Sequence, residues 1–245
     1  MKDPGVGVPT CRVAVDLVRV RDVRGSIDRF GDRYLRRVYT DHELRTCGSV
    51  PGAANANANA NANANAGLAT RFAAKSATLR VLEASGVLSD LRSVEVLHHP
   101  EGACGLGLSG EVARAATEAG IGRIGVSISH GGGTASAVVT AMCKQLPPSS
   151  GGARPSRSTG RGDGDELDDR IRSLLDDHGR LPDDVVTIGE DDDLYRSGLT
   201  SHASINVLLA VEEEFRVTFP ALMAARGSFR SIAAIREAVR AAAYG

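Results

Sequence analysis

From Leu146 to Gly164 the chain reads LPPSSGGARPSRSTGRGDG, a run of Pro, Gly, Ser and Arg with no apolar periodicity. Such a segment supplies no side chains to bury and reads as a flexible linker, so any packed core has to form on one side of it or the other. With 245 residues, 42% of them hydrophobic, the chain suits two globular domains, here 1–145 and 165–245 joined by 146–164. A second compositional break, residues 55–66, repeats Asn-Ala six times. It offers nothing large to bury and no charge, and is expected to form a mobile low-complexity loop without chemistry of its own.

Charge divides along the same line. Residues 1–150 hold 17 Lys/Arg against 13 Asp/Glu, a net of +4, residues 151–162 add three Arg, and residues 163–245 hold 9 against 17, a net of -8. Opposite charge on tethered domains favours encounter and orientation more than tight binding. Arg29, Arg33, Arg36 and Arg37 are the expected docking residues for Glu212, Glu213 and Glu214. The small basic excess and 4% aromatic content argue against a nucleic-acid partner. Cys11, Cys47, Cys104 and Cys143 form neither a CxxC pair nor a zinc-ligand spacing, and read as reduced thiols of a cytoplasmic protein. The start, MKDPGVGVPT, lacks the apolar run of a signal peptide, and no segment approaches the roughly 18 apolar residues needed to span a bilayer; no membrane partner is expected.

In the second domain, residues 198–215 read GLTSHASINVLLAVEEEF. Thr200 has a side-chain oxygen suited to capping a helix start. Ile205, Leu208 and Leu209 recur at helical spacing, and Val207, Val211 and Phe215 widen the stripe at i, i+4, i+8. Ser201 then falls in the first turn. A serine there is ordinarily a plain neighbour of the cap; the residues around it suggest an attachment point.

In the first domain, CRVAVDLV at 11–18 alternates so that Cys11, Val13, Val15 and Leu17 share one face of a strand and Arg12, Ala14 and Asp16 the other. The Asp16 carboxylate needs a partner, either a nearby arginine or a metal ion. A second strand, Arg123 to Ser129, runs into His130 and Gly131-Gly132-Gly133, whose backbone amides could approach a phosphate. Between them GLATRFAAKSATLRVLE predicts a helix with Leu68, Phe72, Leu79 and Leu82 on its apolar face. Arg71 and Lys75, one turn apart, would project as a cationic pair or a solvated face.

Both halves resemble known families. Asp191-Asp192-Asp193-Leu194, Gly198 to Ser201, the helix after it, Phe215 to Pro220 and a terminal helix near Ser231 resemble acyl carrier proteins, with Thr200-Ser201-His202 where that family has Asp-Ser-Leu. The resemblance implies an all-α four-helix carrier domain in which Ser201 bears 4'-phosphopantetheine and acyl groups ride on its thiol. VAVDLVRV, RFGDRYLRRVYTDHEL at 29–44, RFAAKSA at 71–77 and VSISH at 126–130 resemble holo-acyl-carrier-protein synthases, the small 4'-phosphopantetheinyl transferases. That resemblance implies an α+β fold with a sheet on a long helix, a homotrimer with sites between protomers, coenzyme A as donor and Mg²⁺ as metal.

Carried over residue by residue, the transferase resemblance makes Asp16 a metal ligand and, with Lys75 and His130, catalytic. It assigns coenzyme A to Arg71, Lys75, Arg80, Ser129, His130 and Gly132. Splitting the donor's pyrophosphate requires neutralising charge on both phosphates. One departure bears on this. The family's RFAAKEA has a glutamate, as second metal ligand or base, where this chain has Ser76, and a family lysine matches Arg80. Glu83 lies two turns on, about 10 Å by helical rise, and is not expected to fill the gap; Asp41 or Glu43 could rebuild the site. The implied function is transfer of 4'-phosphopantetheine from coenzyme A to Ser201, on the chain's own or a neighbouring carrier domain. The carrier would then shuttle acyl thioesters in fatty acid or polyketide biosynthesis and meet acyl-transfer or ketosynthase enzymes. The alternative is an impaired transferase-like domain that docks a carrier loaded by another enzyme.

Overall fold

In the computed structural model the chain divides into two compact units, Met1–Gln145 and Leu146–Gly245. The structure describes residues 10–49, 58–82, 91–98, 102–143, 165–182, 184–219 and 229–244; the linker 146–164, Glu83, Asn55 to Asn57 and Pro220 lie outside them.

The first unit opens with β1 (Thr10–Arg19), followed without a break by α1 (Val20–Phe30), then α2 (Asp32–Val38) and α3 (Asp41–Thr46). Gly31, at φ 55°, makes the turn between α1 and α2, a conformation glycine adopts without steric penalty. The long helix α4 (Ala58–Val81) comes next, then the hairpin β2 (Val94–His98) and β3 (Cys104–Leu108), α5 (Gly110–Glu118), and the hairpin β4 (Ile121–Gly131) and β5 (Thr134–Cys143). The larger sheet is antiparallel in the order β1-β5-β4, with Asp16 opposite Ala137 and Ile128 opposite Ala137 on the far side.

The Asn-Ala run from Ala58 onward is the first part of α4, where a loop was expected. Alanine is the strongest helix former, and extending a helix already nucleated by packing fixes one residue per added hydrogen bond. Low complexity removed the apolar signal without removing the propensity.

One sheet face packs on α4. Ala14, Val139 and Ala141 meet Ala77 and Val81, with Ile124 and Val126 at the edge; small residues on both sides let helix and sheet approach closely. The opposite face is open, and it is the valine face of β1: Val13, Val15 and Leu17 are 61%, 48% and 67% exposed, beside Val138 and Met142. Asp16 therefore points toward α4. That helix is buried on all sides from Leu68 to Leu79, so Arg71 and Lys75 do not project into solvent. A second core lies among α1, α2 and α4, where Tyr34 and Tyr39 meet edge-on at 6.1 Å and the Tyr39 hydroxyl donates to Leu68 O at 3.1 Å.

In the second unit α6 (Asp165–Gly179) packs on α7 (Ser201–Phe215) and on α8 (Ile232–Tyr244). Ile171, Leu175, Leu194, Leu208, Phe219 and Phe229 fill the interior. Arg236 on α8 donates to Asp168 on α6 at 2.5 Å and to Glu190 at 3.1 Å, tying both ends of the chain segment to the loop between them. Three α-helices are present among the described residues; residues 220–228 are not among them.

Candidate active site and carrier serine

Residue 76 meets Asp16 because α4 crosses β1. The Asp16 carboxyl is pushed above the usual carboxylate range by burial, and the Ser76 hydroxyl, the Leu17 amide and the Arg80 charge hold it down. Ser76 Oγ is buried beside Asp16 and acts on its carboxyl, though without full hydrogen-bond geometry. One turn further on, Arg80 Nη1 donates to Val15 O at 3.0 Å and sits 3.7 Å from Asp16 Oδ1. Helical spacing of four residues thus delivers Ser76 and Arg80 to the same stretch of β1.

His130 shares this sheet face: the row Val18, Ala135, His130 adjoins the row Asp16, Ala137, Ile128. Two strand spacings, about 10 Å, separate β1 from β4. Ser129, by the alternation of the strand, is on the opposite face, where Ser136 Oγ donates to its carbonyl at 3.4 Å, so it does not join Asp16. Gly132 and Gly133, at φ 57° and 78°, form the tight turn of the β4–β5 hairpin with open space around both, the backbone that a two-residue hairpin demands.

Lys75 lies elsewhere. Its Nζ is fully buried 2.7 Å from Glu43 and donates to Leu91 O at 2.9 Å and Val94 O at 2.6 Å, which occupies all three ammonium protons. Glu43 is equally committed, accepting from Thr40 N at 2.9 Å and Val96 N at 3.0 Å. It is not free to replace the carboxylate missing at position 76, and Asp41 is exposed beside Arg92. Arg71, also buried, donates to Gly67 O at 3.1 Å and contacts His98 Nδ1 at 3.3 Å, leaving its Nε without a partner. The sequence expectation of Arg71 and Lys75 as a free cationic pair is corrected: each was drawn inward because its partners arrive from α3, β2 and the turn at Leu91–Ser93. The Thr40-x-x-Glu43 capping box was legible as a pattern; its second use as the Lys75 counter-charge was not.

The donor set does not match the two-carboxylate magnesium site that the resemblance implied. Among the described residues Asp16 is the one acid placed at the site, Ser76 contributes a buried neutral hydroxyl, and a guanidinium already faces the carboxylate. Among the described residues no group of three or more His, Cys, Asp or Glu side chains is assembled for a metal.

In the second unit, Thr200 caps α7, its Oγ1 accepting from Ala203 N at 3.1 Å, and Ser201 is the first helical residue, half-buried. Ser204 Oγ donates to Ser201 O at 2.8 Å. The approach to Ser201 is fixed by Asp193, which accepts from Arg230 at 2.9 Å and from Tyr195 N at 3.1 Å, and by Leu199 N donating to Leu194 O at 2.8 Å. Glu212 and Glu214, expected to dock arginines of the first domain, are engaged locally: Glu212 is buried and accepts from Phe219 N at 2.9 Å, and Glu214 pairs with Arg170 at 2.7 Å. No helix among the described residues is long and apolar enough to cross a membrane.

Residues 12–138 match the 4'-phosphopantetheinyl transferase superfamily. A holo-[acyl-carrier-protein] synthase of Halothermothrix orenii is 32% identical over 118 residues, 48% of this chain and 86% of that protein. An aminoacyl carrier protein of Agrobacterium fabrum is 44% identical over 70 residues, 29% of this chain and 84% of that one. A crystal structure of the Chronobacterium ammoniagenes synthase with coenzyme A superposes with a TM-score of 0.44 at 26% identity, covering 54% of this chain and 96% of that one. With half of its length matched by the family model, the chain belongs to the 4'-phosphopantetheinyl transferase superfamily, and a further stretch of the same polypeptide is similar to an aminoacyl carrier protein.

Proposed function

We propose that the first domain transfers 4'-phosphopantetheine from coenzyme A to Ser201 of a carrier domain, its own or a neighbour's. The observation that carries this reading is the pairing, in one chain, of the Asp16–Ser76–Arg80 constellation on a transferase-family domain with a capped helix that starts at Ser201. In the reaction the Ser201 oxygen forms a bond to the phosphorus of the phosphopantetheine arm. The pyrophosphate P–O bond breaks, its electron pair leaves on adenosine 3',5'-bisphosphate, and the hydroxyl proton passes to solvent. His130 and Arg80 would face the donor phosphates from the α4 side of the sheet. A phosphodiester at the first residue of α7 also meets the unpaired amides and positive dipole end of that helix.

The arm would carry an acyl thioester. The aminoacyl carrier relative favours an aminoacyl group over the fatty-acid or polyketide intermediates expected from the sequence. A linker of some 19 residues has an r.m.s. span near 25 Å, which keeps carrier and transferase at an effective concentration in the millimolar range. For the homotrimer, the open face formed by Val13, Val15, Leu17, Val138 and Met142 is the surface we assign to packing against other copies of the chain.

The test is the intact mass of the full chain, made without other transferases and incubated with coenzyme A and Mg²⁺. A gain of about 340 Da that disappears in Ser201→Ala supports the reading; no gain, with the carrier still accepting an arm from an added transferase, refutes it. A second reading is favoured by the neutral Ser76 hydroxyl beside Asp16: an impaired transferase domain that docks a carrier loaded by another enzyme. It predicts an inert parent that gains turnover in Ser76→Glu.

A further inference from the structure

The disagreement between the donor set and a magnesium site has a chemical consequence, which rests on the transferase reading above. A dication needs anionic or strongly polar oxygens that are not already neutralised. The one carboxylate placed here among the described residues, Asp16, faces a guanidinium 3.7 Å away, and that guanidinium is anchored in place by the Val15 carbonyl at 3.0 Å. The position facing Asp16 from α4 is a buried neutral hydroxyl, which carries no charge to hold a dication. Placing Mg²⁺ at Asp16 would set it against Arg80, with no second acid among the described residues to offset the repulsion. Arginine, by contrast, is always charged and presents a planar fork matched to two phosphate oxygens. Arg80 is about half exposed at its side chain, so it can turn its free nitrogens to a ligand while Asp16 orients it.

We infer that this chain grips the diphosphate of its nucleotide donor through the Arg80 guanidinium, oriented by Asp16, and does so without a divalent cation. Serine at position 76 then removes a charge that would draw the guanidinium away from the phosphates. Arginine and serine at 80 and 76 are two parts of one exchange: a metal clamp replaced by a guanidinium clamp.

Isothermal titration of the full chain with coenzyme A, in EDTA and in millimolar Mg²⁺, reads this directly without requiring turnover. The expected result is binding in EDTA with an affinity within about twofold of that in Mg²⁺. Coenzyme A binding that strengthens by about tenfold or more with Mg²⁺ overturns the inference and leaves the transferase reading standing. Absence of binding in both buffers removes the transferase reading itself. Arg80→Gln, checked for folding by circular dichroism, is expected to lose about tenfold or more in affinity in EDTA; unchanged affinity overturns the inference.

Discussion

Lys75 Nζ and a Glu43 carboxylate oxygen stand 2.7 Å apart with neither side chain exposed to solvent. The pair joins α3 to α4, and the remaining lysine protons hold the carbonyls of Leu91 and Val94. Removing one partner leaves a buried charge unpaired, which costs about 3 to 5 kcal/mol. Lys75→Met and Glu43→Gln are each expected to lose that much stability in urea unfolding, and the double variant Lys75→Met/Glu43→Gln less than the sum of the two. A Lys75→Met protein of parental stability would show that the lysine is not structural.

Asp16 illustrates the tension between site and fold. Burial raises its pKa above 3.8, so the protonated form suits the folded state better. The stability this contributes is complete below 3.8 and is lost as pH rises through the native value. Asp16→Asn, neutral at every pH, is expected to melt at or above the parental temperature at pH 7 while losing pantetheine transfer. A clear drop in melting temperature at pH 7 would contradict the assignment of Asp16 to function over stability.

His98 titrates below its ordinary 6.5, through partial desolvation and the Arg71 charge beside it. For a histidine so depressed, stability is present above 6.5 and falls as pH drops toward the native value. In NMR titration Arg71→Met should move the His98 midpoint upward; no movement would remove Arg71 as the cause.

Gly198 adopts φ 104°, and a β-carbon there would lie 2.6 Å from Pro182 Cδ. Gly198→Ala combines a strained backbone with a clash and is expected to cost on the order of 1 to 3 kcal/mol. Because the loop delivers Ser201 to the start of α7, loading of Ser201 should slow as well. Unaltered thermal stability would mean the loop tolerates a different path.

Arg236 spans Asp168 and Glu190 in the second unit. Arg236→Ala leaves the mostly buried Asp168 without its partner and should destabilise this unit by about 1.5 to 3 kcal/mol, seen as a lowered unfolding midpoint with Ser201 loading retained at lower temperature.

Periodicity read the strand at Asp16, the helix through Phe72 and the capped helix at Ser201, because each pattern is local: alternation of two, spacing of three to four, and a threonine oxygen within reach of a nearby amide. It left open which side of β1 is covered. The structure decides this: α4 lies over Ala14 and Asp16, and Val13, Val15 and Leu17 stay exposed, since a closely packed helix needs small residues beneath it. The Asn-Ala run was misread for a related reason: composition reported what it could not bury and was silent on the helix it could continue.

What the sequence alone determined is a break near Leu146, the family patterns on either side of it, and the local elements that hold Asp16, His130 and Ser201. Only the tertiary structure decided the company each charged residue keeps. It turned Lys75 and Arg71 inward, placed Arg80 against Asp16, and occupied Glu43, Glu212 and Glu214 within their own units. The reason is physical: helical and strand periods fix which residues share a face, but an ion pair or buried hydrogen bond depends on elements tens of residues apart arriving within about 3 Å, and no local pattern encodes that meeting.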